Sequence, residues 1–146
     1  MIDGTVFTPL SIIDTDGGDV LHAMKVSSVG FNGFGEAYFS TIESGVIKGW
    51  KLHREMVLNL VVPIGSVRFV VFDDREKSKT RGNFGEFVLS RKNYGRLTLP
   101  PNLWMGFQGV DEEYSLLLNI ASIEHNPDEV LRRGMDEIDY DWELTE

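Results

Sequence analysis

The strongest constraint on this chain of 146 residues is how often its apolar runs are interrupted. Short runs rich in β-branched and aromatic residues alternate with Gly, Asn, Asp and Pro, and few stretches space their apolar residues as a helix would. Nine runs are predicted to be strands: 20–26, 35–41, 45–53, 57–62, 66–73, 85–90, 95–99, 103–108 and 114–120. Strands this short and this closely spaced are typical of an antiparallel sandwich or barrel. We therefore expect an all-β fold.

Turn residues and one capping pattern refine this expectation. Pro63–Ser66, Asn93–Gly95 and Pro100–Asn102 each separate two strand-like runs and predict hairpin corners. The segment 127–133 differs, because Asn126 precedes a Pro and two acidic residues follow, as at the start of a helix. It predicts one short, peripheral C-terminal helix.

Length and composition bound the class of protein. With 42% hydrophobic residues, the chain is long enough for one domain over residues 1–146 and too short for two ordinary ones. No apolar run approaches the roughly 18 residues of a membrane span, and the first residues do not resemble a signal peptide. We expect a cytoplasmic protein that does not enter a membrane. The absence of cysteine excludes disulfides and thiolate chemistry.

Charge is segregated along the chain. The formal net charge is −9, yet residues 48–96 hold eleven Lys and Arg against five acids. An acidic surface argues against non-specific binding of nucleic acid, whereas a basic middle segment can form a local pocket for an anionic small molecule. The histidines, His22, His53 and His125, do not form a His-x-His pair. We therefore expect no nucleic-acid partner and no metal site.

The run 45–53 carries the most suggestive polar residues. Strand alternation places Lys51 and His53 on one face, and Lys48 and Trp50 on the other. If the first face lines a cavity, an amine and an imidazole converge on it and suit an anion, an enolate oxygen or a proton transfer. If that face meets solvent, the pair has no special meaning. The sequence leaves both readings open.

Two further segments offer candidate ligand contacts. The run 66–73 is apolar on both faces, which predicts a central strand that carries Asp73, Asp74 and Arg75 to its end. The planar guanidinium of Arg75 suits a diphosphate, although a salt bridge to Asp73 is the simpler reading. Trp104 could stack on a base or sugar, and its apolar neighbours equally predict a core position.

Four motifs in order resemble a known family. They are Lys48-Gly-Trp-Lys51, Asp73-Asp-Arg75, Ser78-Lys-Thr-Arg-Gly82 and Pro101-Asn-Leu-Trp-Met-Gly-Phe107. Between about residues 35 and 142 the chain is similar to the dTDP-4-dehydrorhamnose 3,5-epimerases and related cupins. The resemblance implies a cupin jelly-roll barrel, usually a homodimer, with no cofactor. It also implies a nucleotide-sugar substrate, a dTDP-linked 4-keto-6-deoxyhexose made for bacterial surface polysaccharide.

The resemblance also implies which positions carry the chemistry. The family's base His falls at Lys51, the His of its Pro-x-Gly-Phe-x-His-Gly-Phe motif at Met105, its Lys near Asn59, its acid Tyr near Asn119 and a second Tyr near His125. The proton-transfer positions therefore differ from the family pattern. Arg75 matches the family residue, and Lys48 keeps the positive charge of the family Arg.

These inferences define the candidate site. Lys51 and His53 are the predicted catalytic residues, and either could be the base: Lys51 if burial and nearby cations lower its pKa, or His53 on the same face. The predicted substrate-binding residues are Lys48, Asn59, Arg75, Trp104, Asn119 and His125. Three functions stay open: an epimerase, a related sugar ketoisomerase, and a cupin that binds a nucleotide sugar without turnover.

Overall fold

In the computed structural model, which describes residues 1–143, antiparallel strands dominate. The strands are β1 (Val6–Pro9), β2 (Ile12–Ile13), β3 (Val20–Leu21), β4 (Glu36–Ile42), β5 (Ile47–His53), β6 (Leu58–Ile64), β7 (Ser66–Phe72), β8 (Phe84–Ser90), β9 (Gly95–Leu99), β10 (Trp104–Gly109), β11 (Ser115–Ala121) and β12 (Val130–Arg132). The all-β class predicted from the sequence is confirmed. No helix in this part of the chain is long and apolar enough to cross a membrane.

Two five-stranded sheets enclose the main core. The first has the order β1-β9-β6-β11-β4, and the second has the order β12-β5-β10-β7-β8. Leu60 and Leu97 from the first sheet share one buried cluster with Phe69 and Leu89 from the second. Burial of these apolar side chains between the sheets drives the two layers together.

The strand β7 is central in its sheet, as predicted, because it pairs with β10 on one side and β8 on the other. Val67, Phe69, Val70 and Val71 on this strand are fully buried, so both of its faces are covered. The predicted corner before β7 is also present. Gly65 there has a φ of 82°, a conformation that glycine adopts without steric cost.

A second apolar cluster covers the outer face of the β5–β10 sheet. Trp50 and Trp104 from that face pack with Ile138, and Tyr140 and Trp142 lie against them. The aromatic residues of the acidic C-terminal segment therefore pack on the sheet. The last three residues of that segment lie outside the described residues.

The helix predicted over 127–133 is wrong. A 3-10 turn at Pro127–Glu129 follows Asn126, which caps it by accepting a hydrogen bond from the backbone N–H two residues later, and β12 then begins. β12 pairs antiparallel with the edge of β5, and the backbones of Trp50 and Arg133 exchange two hydrogen bonds of 3.1 Å. Pairing with a free strand edge satisfies this backbone better than one isolated helical turn would.

The predicted strand 20–26 is shorter than expected and ends at Leu21. The segment beyond it is held by a side chain instead of a neighbouring strand. Arg96 of β9, which is 1% exposed, donates to the carbonyl oxygens of Ala23 and Val29 at 2.7 Å each. The sequence reading also missed β1 and β2, which are short and lie outside the nine predicted runs.

Candidate functional site

A cavity of about 720 Å³ opens between the two sheets. Lys51 and His53 of β5 line it from one sheet, and Tyr38 of β4 and Asn119 of β11 line it from the other. Leucine and phenylalanine side chains of the main core form its apolar floor. The structure therefore selects the cavity reading of the Lys51 and His53 face over the solvent reading.

His53 is the residue most specifically positioned in this cavity. Its Nδ1 lies 2.5 Å from Oε1 of Glu129, which is 3% exposed. The second oxygen of Glu129 accepts hydrogen bonds from the backbone N–H groups of Glu55 and Met56 at 3.0 and 3.3 Å. With Nδ1–H donating to Glu129, the imidazole keeps Nε2 unprotonated and available as a base.

Burial sets the charge of His53, and hydrogen bonds set the charge of Glu129. Burial lowers the pKa of His53 below its ordinary value of 6.5, and the hydrogen bond that His53 donates to Glu129 only partly offsets this effect. Burial alone would raise the pKa of Glu129, but hydrogen bonds from His53 and from the Glu55 N–H hold it below its ordinary value. At neutral pH the pair is therefore a neutral imidazole held by a carboxylate, the form required of a general base.

Lys51 lies two residues before His53 on the same face of β5 and is half-buried. Burial lowers the pKa of Lys51, the positive charge of Arg132 lowers it further, and Glu129 opposes both effects. The ammonium thus lies where a negative charge in the cavity would be attracted to it.

Lys48 also lines the cavity, which strict alternation along β5 did not predict. The ladder between β5 and β10 shifts register by one residue, because Lys51 faces Met105 while Lys48 faces Phe107. The extra residue on β5 is a β-bulge, which returns Lys48 to the cavity side. Its Nζ contacts the Thr41 carbonyl oxygen at 3.4 Å.

Positive charge dominates the lining of the cavity. Arg132 and Arg133, at the end of β12, lie there with Lys48 and Lys51, and no carboxylate from the described residues is part of the lining. Arg133 also stacks over the ring of Trp104, 4.4 Å from its centroid. Arg133 lies 3.9 Å from the carboxylate of Asp74, which is outside the lining, so the lining itself keeps a positive charge that favours an anionic ligand.

On the opposite wall, Tyr38 and Asn119 form a second polar pair. They are register partners in the β4–β11 ladder, and Nδ2 of Asn119 donates to the phenolic oxygen of Tyr38 at 3.0 Å. Oδ1 of Asn119 accepts from the backbone N–H of Asn59 at 3.2 Å, which fixes the orientation of the amide. The predicted position Asn119 is thus part of the cavity wall.

Arg75 lies elsewhere, in a closed network at the end of β7. Its guanidinium makes two hydrogen bonds of 2.9 Å to the carboxylate of Asp73, which also accepts from Ser78 and Thr80. Nη2 of Arg75 further donates to the carbonyl oxygen of Asp3 at 2.7 Å. These contacts lower the pKa of Asp73 well below its ordinary value, with the hydrogen bond from Arg75 as the largest cause.

Three other predicted site residues are also away from the cavity lining in the described structure. The side chain of Asn59 is buried outside it, where its amide donates to the Gly30 carbonyl oxygen and its oxygen accepts from Thr98. Trp104 belongs to the outer apolar cluster. His125 is exposed, and its charge lies near enough to His53 to lower the pKa of that imidazole slightly.

The sequence reading missed Glu129, Tyr38, Arg132 and Arg133. Glu129 was interpreted as an acidic residue in the first turn of the predicted helix. The two arginines lie in a segment with many acidic residues and were not singled out. Tyr38 could have been found, because alternation places it on the same face of β4 as Ile42, which is 1% exposed. Across residues 1–143, no group of three or more His, Asp or Glu side chains could hold a metal ion.

Comparison with solved structures places this geometry in context. The chain is 36% identical to a dTDP sugar isomerase from Desulfovibrio desulfuricans, and the two superpose with a TM-score of 0.90 over 92% of this chain and 87% of that one. A dTDP-4-dehydrorhamnose 3,5-epimerase from Elizabethkingia anophelis shares the fold, with a TM-score of 0.81 at 19% identity over 99% of this chain and 84% of that one.

A protein with a similar sequence has a related name. Over 84 residues the chain is 34% identical to a probable low-salt glycan biosynthesis epimerase of Haloferax volcanii. That match covers 57% of this chain and 54% of the relative, so it spans about half of the relative's length. No protein-family model matches the chain. The identity and coverage shared with the Desulfovibrio protein nevertheless establish that this chain belongs to the family of dTDP-4-dehydrorhamnose 3,5-epimerases and related dTDP-sugar isomerases.

Proposed function

We propose that this protein epimerises a dTDP-linked 4-keto-6-deoxyhexose, as a cytoplasmic cupin-type enzyme of polysaccharide synthesis. The observation that carries the proposal is the buried pair of His53 and Glu129, whose imidazole opens into a cavity lined by cations. The names of the relatives, a dTDP sugar isomerase and a glycan biosynthesis epimerase, support the same class of substrate and pathway.

The base in this proposal is His53. A proton on a carbon next to a ketone becomes acidic when the resulting enolate is stabilised, and a neutral imidazole is suited to remove it at neutral pH. Glu129 holds the ring in the tautomer that leaves Nε2 free, and its negative charge stabilises the imidazolium that forms. Lys51 lies on the same face but is protonated near neutrality unless its pKa falls by several units, so it is less suited to be the base.

Lys51 is instead proposed to stabilise the enolate. Negative charge develops on the ketone oxygen as the proton leaves, and a half-buried ammonium attracts this charge more strongly than water does. His53 and Lys51 project from one face of the same strand, so one ligand can contact both. This assignment gives the two predicted catalytic residues different roles.

The remaining cations of the cavity are proposed to bind the diphosphate. Lys48, Arg132 and Arg133 lie among the lining residues, and guanidinium groups match phosphate oxygens in two-point hydrogen bonds. Arg75, the sequence-based choice for this contact, already bonds Asp73, Ser78 and the backbone of Asp3. We therefore assign the diphosphate to the β5 and β12 cations.

A homodimer, expected from the family resemblance, is also part of the proposal. The outer face of β4 and β11 carries Phe39, which is 63% exposed, opposite the half-buried Leu118 in the ladder. An apolar sheet face of this kind is suited to pack against a second copy of the chain. Light scattering of wild type and Phe39→Glu tests this, with a dimer expected only for wild type; a monomeric wild type would contradict it.

Turnover of a defined substrate tests the main proposal. The purified protein is mixed with dTDP-4-keto-6-deoxyglucose, and proton and carbon NMR follow the configuration of each sugar carbon and the position of the ketone. We expect inversion next to the ketone, and none with His53→Gln. A ketone that moves to a neighbouring carbon would show a ketoisomerase. Binding of dTDP by calorimetry without any product would show a protein that binds but does not turn over its ligand.

A further inference from the structure

The segment 134–142, which we call the C-terminal strap, crosses the outer face of the second sheet. Ile138 within it is 5% exposed and joins the outer apolar cluster with Trp50 of β5. The ring of Tyr140 lies 5.1 Å from the ring of Phe84, the first residue of β8. Since β5 and β8 are separated by two strands in the sheet order, the strap packs across most of this sheet.

Trp142 anchors the far end of the strap. Its ring lies 5.4 Å from the ring of Trp50 and directly over Gly106 of β10. A side-chain carbon at position 106 would come within 3.0 and 3.1 Å of two carbons of the Trp142 ring, so the close approach depends on glycine. The backbone carbonyl oxygen of Trp142 also accepts a hydrogen bond of 2.5 Å from Nη2 of Arg68, which is 6% exposed. Aromatic packing and a charge-assisted hydrogen bond therefore hold this residue on the sheet.

The strap follows directly after β12, which carries two groups of the candidate site. Glu129, immediately before β12, accepts a hydrogen bond from His53, and Arg132 lines the cavity. β12 has three residues, pairs with β5 alone and is largely exposed. A strand this short with one neighbour opens readily unless a packed segment next to it holds it in place.

We propose that Trp142 is a positioning residue that keeps β12 closed on β5. Through β12 it holds the Glu129 carboxylate against His53 and the Arg132 guanidinium at the cavity. Trp142 takes no part in the chemistry itself, because its ring lies on the face of the sheet away from the cavity. The effect on catalysis rests on the epimerase function proposed above, whereas the effect on β12 is independent of it.

Amide hydrogen exchange tests the effect on β12 without a substrate. The Trp50 N–H donates to the Arg133 carbonyl oxygen at 3.1 Å, and the Arg54 N–H donates to the Glu129 carbonyl oxygen at 2.8 Å, so these two amides report the pairing of β5 with the edge segment. Trp142→Ala should speed their exchange about tenfold or more. Trp142→Phe keeps an aromatic ring and should restore most of the protection. Trp142→Leu serves the same test if the alanine variant does not fold.

Phe7→Ala is the matched control. Phe7 of β1 lies over Gly95 at the edge of the first sheet, as Trp142 lies over Gly106 in the second, and it packs against the main core. Loss of this ring should lower the melting temperature but leave the exchange of the β5 amides at wild-type rates. Equal acceleration of that exchange in the Phe7 and Trp142 variants would show that the amides report overall stability, and it would overturn the inference.

A double-mutant cycle tests the effect on catalysis. If Trp142 acts through Glu129, its removal matters only while the Glu129 carboxylate is present. With dTDP-4-keto-6-deoxyglucose, Trp142→Ala should lower kcat about tenfold in the wild-type background and less than about twofold in the Glu129→Gln background. A contribution to stability alone would change kcat by the same factor in both backgrounds, and that result would exclude the positioning role.

The two proposals fail separately. A wild type that neither exchanges deuterium next to the ketone nor inverts a carbon would remove the epimerase function and leave the anchoring of β12 to measurements that need no substrate. Nitrogen NMR of His53 is the second such measurement, because Trp142→Ala should lower the population of the imidazole that carries its proton on Nδ1. Unchanged amide exchange together with an unchanged tautomer would overturn the inference.

Discussion

His53 with Glu129 and Arg75 with Asp73 are two pairs of the same kind with opposite consequences. Each joins a basic side chain to a carboxylate that is almost fully buried, 3% exposed for Glu129 and 0% for Asp73. The pairs differ in whether a reactive atom of the basic side chain remains without a partner. His53 keeps one ring nitrogen in a cavity, whereas Arg75 and Asp73 are occupied by each other and by neighbouring groups. A buried pair of a basic side chain and a carboxylate therefore indicates a site only where a reactive atom still faces open space.

The strongest test of this contrast is Glu129→Gln. The amide can still accept from the Glu55 and Met56 backbones, but its NH₂ would donate to His53 Nδ1 and force the hydrogen onto Nε2, so the base is lost. We expect kcat to fall about 10³-fold with a small change in melting temperature. Glu55→Gln, an exposed neighbour, is the control and should keep full activity. A variant that unfolds while keeping its activity per folded molecule would reverse the roles of the two pairs.

Asp73→Asn should have the complementary effect. It leaves the guanidinium of Arg75 without its charged partner in a buried network, so we expect the free energy of unfolding to fall by about 3 kcal/mol. Denaturant unfolding measures this loss, and kcat of the folded protein should be unchanged. Asp74→Asn removes only a 3.9 Å contact with Arg133 and should change stability by about 0.5 kcal/mol or less. Equal losses in both variants would show that the Asp73 network is not special.

Lys51→Met tests which residue on the cavity face of β5 is the base. If the ammonium only stabilises the enolate oxygen, kcat should fall about 10²-fold while an acid limb remains, shifted to higher pH because the positive charge of Lys51 no longer lowers the pKa of His53. The limb persists because His53 still supplies the titrating group. A flat pH profile in this variant, measured from pH 5 to 8, would show that Lys51 itself titrates in catalysis.

The two pairs should lose their functions at different pH values as the solution becomes more acidic. Since burial holds the pKa of His53 below 6.5, kcat/KM should fall about tenfold per pH unit once the pH drops below that lowered pKa. His53 also binds a proton more readily in the unfolded chain, so its contribution to stability is present above pH 6.5 and shrinks as pH falls. The contribution of Asp73, whose pKa is lowered, is present above its ordinary 3.8 and is lost only at lower pH.

Activity should therefore decline while the protein remains folded. Parallel measurement of kcat/KM and of circular dichroism from pH 8 to 3 checks the order of the two events. Coincident loss of activity and of folded signal would mean that the acid limb reports unfolding and not titration of the base.

The smallest expected effect is on ligand affinity. Arg132→Gln removes one of several exposed cations at the cavity, so we expect dTDP to bind about fivefold more weakly, with a weaker dependence on salt. Lys79→Gln is the matched control, because the Lys79 side chain is 79% exposed on the Asp73 loop. A larger loss in the control would move the diphosphate to the Arg75 side of the molecule.

Local pattern in the sequence predicted most strands of the two sheets, though not β1 and β12, and the polar residues of one wall of the cavity. Alternation along β5 placed Lys51 and His53 on one face, and the apolar run of β7 identified a central strand. Local pattern could not predict partners that come from distant segments of the chain. Glu129 reaches His53 only because β12 pairs with the edge of β5, a contact across 76 positions that no local spacing encodes.

Motif matching could not predict the surroundings of Arg75 for a related reason. The order Asp-Asp-Arg shows that charge is present but does not show whether another side chain already neutralises it. Ser78 and Thr80, read as a separate motif, in fact complete the same network around Asp73. The polar residues of a sequence motif can thus stabilise the fold without contacting a ligand.

The central claim is that His53, and not the Arg75 network, performs the chemistry. The direct measurement is the rate of deuterium incorporation next to the ketone of dTDP-4-keto-6-deoxyglucose, compared in wild type, His53→Gln and Arg75→Met, each verified as folded by circular dichroism. The account predicts a loss of about 10³-fold for His53→Gln and a wild-type rate for folded Arg75→Met. Exchange that survives in His53→Gln but disappears in Arg75→Met would contradict it.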